Sequence, residues 1–104
     1  MTTMESAATA AASTYVETSL DGVLLVEVDR AGFVRRIQIE PEVNATWTAD
    51  QLAERLFHLY TVALMRCRSD VLSEINAAGA DRPPDANYPS RDEVAAYRAR
   101  WIRF

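Results

Sequence analysis

An α+β fold is predicted: a three-stranded antiparallel meander, then one long helix and a short C-terminal helix. Three features carry it. Glycine-bearing turns separate short strand-like runs between Tyr15 and Glu40, a capping box at Thr48 opens an apolar helical periodicity lasting to Gly79, and a second capping box at Ser90 follows a proline-rich stretch. With 104 residues, 49% of them hydrophobic, the chain suits one compact domain. It divides into an alanine-rich flexible tail (1–14), a meander plus long helix (15–79), a connector (80–89) and a C-terminal docking helix (90–104).

The first strand alternates, so Val16, Thr18 and Leu20 share one face and Tyr15, Glu17 and Ser19 the other. Leu20-Asp21-Gly22-Val23 reads as a two-residue hairpin turn, because Asp-Gly accepts the positive φ that such a turn needs. In the second strand Leu24, Val26 and Val28 form an apolar face, while Val23 and Leu25 leave the opposite face only partly polar. Asp29-Arg30-Ala31-Gly32 turns the chain into a third strand. There Arg35, Ile37 and Ile39 lie on one side and Val34, Arg36, Gln38 and Glu40 on the other, ending at Pro41, which has no N–H to give a ladder.

Thr48 and Gln51 satisfy each other's backbone donors at the start of the long helix, with Trp47 and Leu52 placed to form a hydrophobic staple. Leu52, Leu56, Leu59, Tyr60, Ala63, Leu64 and Cys67, extended by Ala53 and Phe57, form one arc expected to cover the sheet. Val62, Met65 and Leu72 fall outside that arc as a second apolar seam. Together with Val23 and Leu25 they are the expected dimer interface. In the last helix Val94, Tyr97, Trp101 and Phe104 recur at helical spacing and are expected to dock across the dimer or on a partner.

The pattern excludes more chemistry than it suggests. Cys67, the single cysteine, forbids an intramolecular disulfide and reads as a core residue, and His58 reads as a surface or interface residue. On one helix they lie about 180° apart, so they form no thiol–imidazole pair. Glu40 and Glu42 flank Pro41 in what reads as a solvated loop. No phosphate loop, nucleophile elbow or metal-binding run occurs, so neither catalytic residues nor a cofactor or metal are expected. Asn44-Ala45-Thr46 matches a glycosylation acceptor only formally. Residues 1–14 lack the basic start and apolar run of an export signal, and the expected location is the cytoplasm, without a membrane. All basic residues are arginine, yet the net charge of −4 opposes a phosphate backbone. Arg30, Arg35 and Arg36 cluster around the last hairpin as candidate DNA contacts, or pair with Asp21, Glu27 and Asp29.

The run Leu24 to Glu42, a strand, a glycine turn and a strand ending in an acidic-proline step before a long helix, resembles the YbaB/EbfC nucleoid-associated family. The resemblance implies an α+β homodimer joined through sheets and helices. The chain departs from that pattern in its alanine-rich start and its added proline connector and last helix, where it looks more like small actinobacterial relatives, including accessory proteins of type VII (ESX) secretion. Tyr88-Pro89-Ser90-Arg91-Asp92 matches the YxxxD/E pattern of that system. The expected function is a non-enzymatic homodimeric interaction module, accessory or chaperone-like, with an unidentified protein partner. A YbaB/EbfC-type DNA binder using Arg30, Arg35 and Arg36 is the alternative.

Overall fold

The computed structural model describes residues 14–104, so most of the expected N-terminal tail lies outside the described residues. Thr14 itself opens β1 (Thr14–Thr18), which pairs antiparallel with β2 (Leu24–Asp29), and β2 pairs with β3 (Val34–Ile39) in the order β1-β2-β3. Three helices follow among the described residues: α1 (Glu42–Thr46), α2 (Ala49–Ala77) and α3 (Arg91–Trp101). The meander, the long helix and the short last helix are as expected; α1 is an addition. It forms where Pro41 presets a helical φ of −57° and lets Val43 reach the core.

Both hairpins turn at glycine, but the first is wider than a two-residue turn. Ser19 N–H donates to Leu24 O, so Leu20 to Val23 make a four-residue loop with Gly22 at φ +79°. In the second, Asp29 N–H donates to Phe33 O across Arg30-Ala31-Gly32, and Asp29 Oδ1 accepts from Ala31 N–H and Phe33 N–H. Gly32, at φ +91°, supplies the left-handed residue that such a three-residue loop requires.

β3 carries a bulge. Glu27 opposes Arg36 while Val28 opposes Val34, so Arg35 is the extra residue. This corrects the simple alternation: Val34 joins Ile37 and Ile39 on the face of Leu24, Val26 and Val28, because a bulge shifts the side-chain phase by one residue.

Reciprocal capping boxes start α2 at Thr48 and α3 at Ser90, each removing two unpaired backbone donors. At the end of α2, Ala80 N–H reaches Ile75 O and Gly79 N–H reaches Asn76 O, with Gly79 at φ +104°. The connector is hooked rather than simply extended. The Asn76 amide brackets Arg82, and Asp85 Oδ1 accepts from the backbone of Asn87 and Tyr88, reversing the chain so that α3 returns along α2.

The core lies between β1, β2 and α2, where Tyr15, Leu24, Val26, Val28, Leu59, Ala63 and Cys67 are buried. Tyr15 crosses this layer to donate its hydroxyl to Asp70 at 2.8 Å. Burial first, then the Asp70 hydrogen bond, push its phenol up to about 12. Because the folded value exceeds the unfolded one near 10, the protonated phenol stabilises the fold fully below pH 10, and that contribution is lost as pH rises towards 12. Phenolate absorbance should therefore include one tyrosine that ionises only near pH 12 and is absent from the Tyr15→Phe titration. Stability should fall over the same interval in the wild type and much less in Tyr15→Phe.

Candidate functional site

One helix is too narrow for this sheet. An α-helix with side chains is about 10–12 Å across and strands lie about 4.8 Å apart, so α2 can cover roughly two strands. It lies over β1 and β2. On β3 every residue is exposed, and on its helix-side face Val34, Ile37 and Ile39 keep 45%, 48% and 42% of their surface in water.

Beside this open strip rises a flank of α2. At 100° per residue Tyr60 and Leu64 lie well round the helix from the Val62–Met65–Leu72 seam, and Phe57 sits at the outer, solvent-facing margin of the same flank, its ring 5.9 Å from that of His58. A Cβ at Gly32 would stand 3.3 Å from Leu64 Cδ1, which ties that flank to the β2–β3 turn. Phe57 is 61% and Phe33 69% exposed. Floor and flank together form an apolar step of the kind that marks interaction surfaces in soluble proteins.

The two sheet edges differ. Along β1 the outward Val16 carbonyl accepts from Arg66, and Leu20 N–H donates to Phe104 O at 2.6 Å. The edge of β3 carries no such cover among the described backbone and side-chain contacts. Its ends are blunted by the bulge and by Pro41, but Ile37-Gln38-Ile39 between them is an open edge.

The expected dimer interface is redistributed. Val62 and Leu72 are 0% and 6% exposed and Met65 is half-buried, because α3 packs along this seam within the same protomer. His58, Val62, Met65, Ser69 and Leu72 recur alternately four and three residues apart, the spacing at which antiparallel helices mesh. The ends fix the direction: Arg91 pairs with Asp70 at 3.6 Å, whereas Trp101 stacks on His58 with ring centroids 4.7 Å apart. Val23 packs against the core margin, and Leu25 stays half-buried on the face opposite the helices, between Thr18 and Gln38.

The expected docking residues serve the same internal contact. Val94 is buried, Tyr97 Oη lies 2.8 Å from His58 Nδ1, and Phe104 meets Trp47 edge-on at 6.3 Å with Arg55 over both rings. His58 is thus enclosed by α3 rather than placed at the surface. Tyr88 to Asp92 spans the N-cap of α3, with Tyr88 against the Arg82 guanidinium at 4.6 Å.

The three candidate DNA-contacting arginines all face carboxylates. Arg30 forms a double hydrogen bond with Glu74, which holds its guanidinium protonated more firmly than usual. Arg35 lies 3.7 Å from Asp29 and Arg36 3.0 Å from Glu27. Of the acids expected to pair with the arginines, Asp21 instead accepts from Ser19 Oγ and Val23 N–H, and Glu74 takes its place. Cys67 is buried in the core, as expected; its thiol donates to Arg30 O, and burial pushes its pKa up, away from a reactive thiolate. Glu40 and Glu42 are exposed, with α1 beginning at Glu42. Among the described residues no group of three His, Cys, Asp or Glu side chains is placed to hold a metal, and no helix is long and apolar enough to cross a membrane.

Phe33, Val34, Ile37 and Ile39 are surface residues that the sequence assigns to no site, and Phe57, expected in the arc that covers the sheet, is exposed instead because it lies at the outer margin of that arc. Their apolarity was visible, but alternation marks a face that needs cover without saying whether the cover reaches it.

The class these features define is an α+β module with one covered and one open sheet edge, the open edge adjoining an apolar step. Compared with protein-family models, curated proteins and solved structures, the chain matches none of them.

Proposed function

We propose that this chain is a homodimeric protein-interaction module without catalytic chemistry, acting in the cytoplasm as an accessory or chaperone-like protein. Type VII secretion is the assembly to which its sequence resemblance points. The observation that carries this reading is the apolar step formed by β3 and the Phe57 flank of α2. Fully burying an aliphatic or aromatic side chain is worth about 1.5–3 kcal/mol, so covering five such half-exposed residues offers several kcal/mol before association costs. The carboxylates facing Arg30, Arg35 and Arg36, and the net charge of −4, favour protein over phosphate as the partner.

Light scattering across a dilution series should give twice the 11.6 kDa chain mass, falling to the monomer only at low concentration. A monomer throughout would end the homodimer reading. Salt-sensitive binding of duplex DNA at micromolar protein would instead move the assignment to the nucleoid alternative.

A further inference from the structure

We infer that two copies join edge to edge through β3, with Gln38 on the two-fold axis and Ile37 opposite the partner's Ile39. This rests on the homodimer reading and specifies its geometry. Glu40 N–H donates to Val23 O, and hydrogen-bonding direction alternates along a strand, so Arg36, Gln38 and Glu40 direct their backbone groups at β2. The N–H and C=O of Ile37 and Ile39 therefore point out from the edge, ready for another strand.

A two-fold axis perpendicular to the sheet keeps both helix layers on one side. It also requires opposed residues to share a face, which allows the axis to pass through a residue but not between two. Centring on Arg36 sets like charges against each other. Centring on Ile37 leaves Arg36 against Gln38 and puts Glu40 opposite Val34. With Ile39 at the centre, Ile37 faces Pro41, which has no N–H to donate.

Only centring on Gln38 satisfies every position. Ile37 and the partner's Ile39 exchange a reciprocal pair of N–H···O bonds, repeated by symmetry. Arg36 and the partner's Glu40 meet as opposite charges at the closer, non-hydrogen-bonded sites. Arg36 reaches its own Glu27 through Nε, which leaves the terminal guanidinium nitrogens for this contact. The bulge at Arg35 and the proline at 41 then mark the two ends of the shared ladder. On the helix side the isoleucines of both copies form one continuous floor between the two Phe57 flanks.

The test is a charge exchange at two exposed positions. Arg36→Glu and Glu40→Arg, made separately in the full chain, should each fold with unchanged circular dichroism and each weaken self-association by about tenfold or more. Mixed in equal amounts they should form a heterodimer of near wild-type affinity, since every cross-strand pair is then oppositely charged. A Gln38→Cys chain should oxidise to a covalent dimer, because cysteines at such a site are close enough to bridge while Cys67 is buried. A wild-type dimer that tolerates both charge variants, shows no preference for the mixed pair and gives no cross-link at 38 would overturn this register while leaving the homodimer intact. A wild-type monomer would remove both.

Discussion

A chain ending at Tyr88 is expected to lose most of its stability, not merely a docking appendage. Removing residues 89–104 uncovers Val62 and Leu72 and deletes Val94 and Ile102, all buried. At about 1.5–3 kcal/mol for each fully buried aliphatic side chain, the loss approaches the whole stability of a small domain, about 5–15 kcal/mol. The truncation also removes the backbone bond from Leu20 to Phe104 and the Arg98 partner of Glu17. Thermal unfolding should show either no cooperative transition or a midpoint lowered by well over about 10 °C. A truncated chain melting within a few degrees of the full one would mean that α3 is a separable arm, free to reach a partner.

The second large effect is centred on Glu17. Its carboxylate is 8% exposed, yet it accepts from Arg66 at 2.6 Å and from Arg98 at 2.7 Å, joining β1, α2 and α3 at one point. The arginines are 37% and 42% exposed, so the arrangement is asymmetric: a buried anion held by two partly hydrated cations. Taking away both cations strands the buried charge, which in buried pairs costs about 3–5 kcal/mol. Taking away the anion leaves guanidiniums that water can still solvate, at a cost nearer about 1 kcal/mol. Chemical denaturation of Arg66→Ala/Arg98→Ala should accordingly show a much larger loss than Glu17→Ala. Equal losses would mean that the contact acts through packing rather than charge.

Much of the local structure is legible in the residues. Thr48-Gln51 and Ser90-Glu93 announce their helices because a capping box is a local device, completed within four residues. Gly22, Gly32 and Gly79 mark reversals for a related local reason, since each takes a positive φ that a residue without a Cβ adopts at no steric cost. The bulge at Arg35 was hidden, because it depends on how β3 meets β2 and not on the content of β3 alone. Likewise α1 was missed: a helix of five residues is too short to show a period.

The sequence by itself determined the three strands and the two capped helices in their order, and that α2 carries more apolar surface than one sheet-facing stripe requires. Only the tertiary structure decided what covers each stripe. The seam of Val62, Met65 and Leu72 is covered by α3 of the same chain, while Val34, Ile37 and Ile39 on β3 remain in water. The hydrophobic effect has no direction and no address: it favours covering an apolar face whichever surface does so. The hook at Asn76 and Asp85 sends α3 back along α2, and the width of a single helix stops short of the third strand.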